Sequence, residues 1–140
     1  MATSGQLTGM RGVYLVAAEL SKRGLIASPT SRSAVGADVL VTDQRCSRAW
    51  SVQVKTNART HSFWLLTAKT KETVADSHVY VLVNIRSRNT GEEIEYFVVP
   101  SQVIASRMSH AVSRAKTSEW YQIDRAKILE FQEKWDLFSA

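Results

Sequence analysis

Gly36-Ala37-Asp38-Val39-Leu40-Val41 and Trp50-Ser51-Val52-Gln53-Val54-Lys55-Thr56-Asn57 decide the fold of this 140-residue chain. Successive side chains on a strand point to opposite faces, so Gln53 and Lys55 share one face and Val52 and Val54 the other. Asp38 stands at the mouth of the first apolar run, and a hairpin through Asp43 to Ala49 returns the second run beside it. The spacing therefore predicts adjacent strands over 36–42 and 50–57 that bring Asp38, Gln53 and Lys55 together.

These residue types have a chemical reason to meet. A carboxylate with an amide or main-chain carbonyl oxygen suits a hard ion such as Mg²⁺, which uses few protein ligands and keeps several waters. An ammonium nearby stabilises charge on a scissile phosphate or helps deprotonate a water that the metal has acidified. Upstream, Val13, Val16, Ala17 and Leu20 recur at i, i+3, i+4 and i+7, and Gly24 supplies a stop, which predicts a helix over Gly9 to Gly24.

The order helix, strand, strand with an Asp-x(n)-Gln-x-Lys pattern resembles the core motif of the PD-(D/E)XK nuclease superfamily, most of all its Mrr-type and small Holliday-junction-resolvase-like members. The resemblance rests on motif over the first ~60 residues and on the order of elements beyond them. It implies an α/β fold with a central mixed β-sheet flanked by helices, spanning 1–140 as one nuclease-like domain. By the same likeness, Asp38, Gln53 and Lys55 are the catalytic residues, Asp38 and Gln53 the ligands of Mg²⁺ or Mn²⁺, and the reaction is metal-dependent hydrolysis of DNA phosphodiesters.

Related nucleases often carry a glutamate on the first helix, and that slot holds Val13 here. Glu19 lies on the same helix, but six residues turn it by about 240° from Val13, so it is no substitute. With glutamine in the second acidic slot, Asp38 is the one matched carboxylate. The alternative reading follows: a nuclease-fold module that binds nucleic acid or a protein partner without turnover.

Composition agrees with a globular domain: 44% hydrophobic and 22% charged residues, and no apolar run near the ~20 residues of a membrane span. The amino terminus shows no secretory signal, which together with one unpaired Cys46 leads to the expectation of a cytoplasmic protein. Lys and Arg number 18 against 13 Asp and Glu, a net charge of +5 that favours polyanionic partners. Arg32, Arg59, Lys69 and Lys71 are the expected nucleic-acid contacts, with Arg45 and Arg48 nearby. A small chain that cuts two strands is expected to act as a homodimer.

Further strands are predicted over 61–67, 79–85 and 94–99, with a turn over 86–93. Helices are expected from Pro100 to about Ala111 and from Asp124 to Phe138, the latter because Ile128, Phe131, Trp135 and Phe138 recur every three to four residues. The three histidines are read as structural or solvent-facing, and Trp50 and Trp64 as sheet packing in preference to base stacking. Walker-type loops, nucleophile elbows and dinucleotide fingerprints are absent from the sequence.

Overall fold

The computed structural model describes residues 1–31, 36–59 and 61–139. Helix α1 covers Ser4–Lys22, longer at its start than the periodicity indicates, because Thr3 and Gln6 form a reciprocal capping box. It ends where Gly24 takes φ +83°, with Leu25 N–H donating to the Leu20 carbonyl and Gly24 N–H to that of Ser21. That six-to-one pattern needs a left-handed residue, which glycine adopts without Cβ strain.

The main sheet has the order β1 (Ile26–Pro29), β2 (Val39–Thr42), β3 (Ala49–Asn57), β5 (His78–Arg88) and β6 (Gly91–Pro100). The β3–β5 pair is parallel and the rest are antiparallel, so the sheet is mixed as expected. Strand β4 (Phe63–Leu66) belongs instead to a second, three-stranded sheet with β8 (Glu119–Asp124) and β7 (Ser109–Val112). A short helix α2 (Ser101–Arg107) precedes β7.

Each face of the main sheet buries its own core. Val39, Val41, Trp50, Val52, Val54, Val79, Val81 and Val83 meet Val16 and Leu20 of α1. The opposite face, with Tyr80, Leu82, Phe97 and Val99, meets Trp64 and Leu66 of β4, Ile104 of α2 and Ile123 of β8. β5 is buried on nearly its whole length, as a central strand covered on both sides must be. At Gly12 a Cβ would collide with Thr56, so glycine is what lets α1 lie this close to β3.

Three expectations fail for physical reasons. The predicted turn over 86–93 shrinks to Asn89-Thr90, because Arg86 and Ser87 continue to pair with Glu93 and Glu92. The predicted helix from Pro100 stops at Arg107, and the following residues pair as the β7–β8 hairpin. The predicted terminal helix does not form: after β8 the chain makes short 3₁₀ turns at Arg125–Lys127, Leu129–Phe131 and Trp135–Phe138. Ile128 and Phe131 belong to one core, Trp135 and Phe138 to the other. The segment therefore crosses the edge of the sheet, with Gln132 bridged to Phe97 and Glu133, at φ +56°, donating its N–H to the Tyr96 carbonyl. Its apolar spacing serves two faces of a sheet, and the strap covers the open β6 edge.

Candidate active site

β2 pairs with β3 only as far as Val39 opposite Val52, which leaves the Val54 N–H without a strand partner on that side. Asp38 fills the gap. Its N–H donates to the Val52 carbonyl at 2.7 Å and its carbonyl accepts from Thr30 N–H at 2.9 Å, which ties the residue to both neighbouring strands. Its Oδ2 then accepts from Val54 N–H at 2.8 Å and from Gln53 Nε2 at 2.9 Å. The carboxylate thus continues the ladder where the backbone of β2 leaves off, and two N–H donors fix its orientation.

Asp38 and Gln53 both line a cavity of about 740 Å³ closed on the other side by Met10, Val13 and Tyr14 of α1. Val13 therefore faces the same space as the carboxylate. Glu19 is turned away and pairs with Arg23. Gln53 also lines a smaller cavity of about 270 Å³, and Lys55 and Lys69 line that one with it. Lys55 shares the Gln53 face of β3, as alternation requires, and makes no ion pair with Asp38. The structure brings Asp38 into contact with Gln53 and sets Lys55 two residues along the same face.

Of the expected nucleic-acid contacts, Arg59, Lys69 and Lys71 are exposed, and Lys69 borders the Lys55 cavity. Arg32 lies outside the described residues. Arg48 is engaged elsewhere, donating to the Ser139 carbonyl at 3.1 Å and lying 5.1 Å over the Trp50 ring. Trp50 and Trp64 are buried, the latter donating Nε1–H to the Val83 carbonyl at 3.0 Å, so neither offers a face for stacking.

One neighbour escaped the sequence reading. His78 is 5% exposed, lines the smaller cavity, and shares a 2.6 Å hydrogen bond between its Nδ1 and Ser51 Oγ. Burial lowers its pKa below the ordinary histidine value. Tyr80, beside it at 5.4 Å between ring centroids, is pushed the other way by burial and keeps its phenol proton. Scattered histidines carry no spacing signal; the parallel register of Ser51 opposite His78 is what joins this pair.

The donor set can be tested against a divalent ion. Asp38 offers an oriented carboxylate, but Gln53 turns its NH₂ toward that carboxylate and so directs its amide oxygen away from Oδ2. Among the described residues no group of three or more His, Cys, Asp or Glu comes together. One carboxylate and an amide oxygen still suit Mg²⁺, which is commonly bound through one or two carboxylates plus the phosphates of a substrate. The site fits a weakly held ion completed by substrate and water.

No family model and no curated protein matches this chain. Among solved structures it is similar to the 1.6 Å structure of Hjc from Archaeoglobus fulgidus, a Holliday junction resolvase from an archaeal hyperthermophile. The two share 17% identity over 86% of this chain and 92% of that one, with a TM-score of 0.55. No helix among the described residues is long and apolar enough to cross a membrane. The mixed sheet, the helix laid across it and this likeness give the chain an α/β restriction-endonuclease-like fold.

Proposed function

We propose that the protein is a metal-dependent nuclease acting on DNA. The observation that carries this reading is Asp38, held by Gln53 and the Val54 peptide between two strands, at a cavity, with Lys55 on the face of Gln53. Asp38 and Gln53 would hold Mg²⁺ or Mn²⁺, which when bound supplies Lewis acidity and an acidified water. The chain's own residues do the rest. The two N–H donors keep the Asp38 carboxylate aimed, and the Lys55 ammonium presents positive charge to a phosphate whose negative charge grows toward the transition state. The net charge of +5 draws the polyanion to the surface.

A second reading has its own support: Val13 occupies the cavity wall facing Asp38, and the site has a single oriented carboxylate. On that reading the domain binds DNA without cutting it. Cleavage of single-stranded, duplex and branched DNA with Mg²⁺ or Mn²⁺, by the natural protein and by Gln53→Glu, separates the two. A nuclease cuts, requires the metal, and gains from the added carboxylate. Absence of cleavage in both proteins, with salt-dependent DNA binding retained, leaves the binding module as the account.

A further inference from the structure

The smaller cavity holds an arrangement that the nuclease motif does not explain. Two lysines, Lys55 and Lys69, line one space of about 270 Å³, and among the described residues no carboxylate lines it. Neither lysine forms an ion pair among the described residues. Like charges bordering one space repel unless an anion lies between them.

The rest of the lining consists of hydrogen-bonding groups on fixed supports. Thr70 is 5% exposed and Tyr80 4% exposed, and burial raises the Tyr80 phenol pKa further above its ordinary value. Lys69 and Thr70 sit on the Ala68–Lys71 turn. That turn is closed by Thr70 N–H to the Thr67 carbonyl at 3.1 Å and by Thr73 N–H to the Lys69 carbonyl at 3.1 Å. It is tied to α2 through Ala75 N–H to Ser101 Oγ at 3.1 Å and Gln102 Nε2 to Asp76 Oδ1 at 2.7 Å. Lys69 is thus presented from an anchored turn, opposite a lysine on a central strand.

We propose that this cavity is an oxyanion subsite, in which Lys69 and Thr70 join Lys55 in holding the nucleic-acid phosphate that Lys55 meets. Gln53 lines both this cavity and the one that Asp38 borders. That the phosphate belongs to a nucleic acid rests on the function proposed above; the oxyanion chemistry rests on the lining alone.

The test titrates inorganic phosphate, and separately a short DNA oligonucleotide, into ¹⁵N-labelled protein at low ionic strength. Phosphate is expected to move the amides of Lys55 and of residues 69–73 together. Its affinity should fall about tenfold or more in Lys69→Glu and be retained in Lys69→Arg. For the oligonucleotide, Lys69→Ala should lower the slope of log affinity against log salt by about one. Phosphate shifts scattered over unrelated lysines, or equal affinity in Lys69→Glu, overturn the subsite. Phosphate bound at Lys69 with an unchanged DNA salt slope overturns its assignment to a strand. A lack of metal-dependent cleavage defeats the nuclease reading and leaves these readouts untouched.

Discussion

The face of the β3–β5 pair that carries Gln53, Lys55, Asn57 and Asn84 holds two polar clusters of opposite character. At its far end Asn57 donates to Asn84 Oδ1 at 3.2 Å and to the Phe63 carbonyl at 2.9 Å, and Asn84 donates to Glu95 Oε1 at 3.2 Å. Glu95, 7% exposed, is also gripped by Arg125 at 2.7 Å and 3.2 Å and by Arg86 at 3.0 Å. At the near end Asp38 is oriented by two N–H groups, Lys55 has no ion-pair partner among the described residues, and both border open cavities. In the far cluster the charges are spent on one another. In the near cluster they are aimed and left available. Residue type does not separate the two; compensation does, since Glu95 meets Arg125 and Arg86 whereas Asp38 and Lys55 border cavities.

The far cluster should cost the most to break. Glu95→Ala leaves two guanidinium groups facing each other without their carboxylate, and destabilisation of about 3–5 kcal/mol is expected by urea or guanidinium unfolding. Burial alone would raise the Glu95 pKa, but hydrogen bonds from Arg125 and Asn84 and the charges of Arg125 and Arg86 outweigh it and hold it below the usual glutamate value. Its contribution is therefore present above the unfolded pKa near 4.5 and is lost as pH falls through the lower folded value. A variant as stable as the natural protein would mean that this cluster is not structural.

Next in size is the effect of the near cluster on turnover. Lys55→Ala should lower metal-dependent cleavage by about 10²-fold or more, while the unfolding midpoint stays close to that of the natural protein. Asp38→Ala should abolish cleavage and, by stranding the Val54 N–H, also cost about 1–3 kcal/mol of stability. If Lys55→Ala unfolded the domain while cleavage per folded molecule held, the contrast between the two ends would be reversed.

A smaller gain is expected from Val13→Glu. Placing a carboxylate in the cavity opposite Asp38 should tighten Mn²⁺ binding by calorimetry. Unchanged affinity would show that the α1 wall does not reach the ion position.

The smallest effect concerns His78. Its pKa is lowered by burial, so the unfolded chain takes up a proton near pH 6.5 while the folded one does not. Stability should be complete above pH 6.5 and decline as pH falls from there toward the lower folded value. In His78→Gln this part of the decline, followed by urea midpoints between pH 7.5 and 5.5, should flatten.

Local pattern was enough for α1 and the β2–β3 hairpin, though it did not announce β1. The helix ending at Gly24, the β2–β3 hairpin, and the shared face of Gln53 and Lys55 follow from periods of 3.6 and 2 that survive in the folded protein. The second half misleads because one spacing has two uses. Ile128, Phe131, Trp135 and Phe138 repeat as a helix would, yet each pair serves a different core, and only the position of the β6 edge divides them. β8 is a short, half-exposed strand whose pairing partner β4 lies more than fifty residues upstream, and no local signal announces such a pairing.

By itself the sequence determined which chemical groups are present, the alternation that sets Gln53 beside Lys55, the absence of a helix glutamate at Val13, and the basic charge. Only the tertiary structure decided which of those groups are free to act. It began β2 only at Val39 so that Asp38 had to satisfy Val54, placed Ser51 opposite His78, and brought Lys69 from a distant turn to the lining of the Lys55 cavity. The reason is that strand periodicity fixes a side chain's direction from its immediate neighbours, whereas burial, pairing and charge compensation depend on chain segments that meet only when the sheets close over one another.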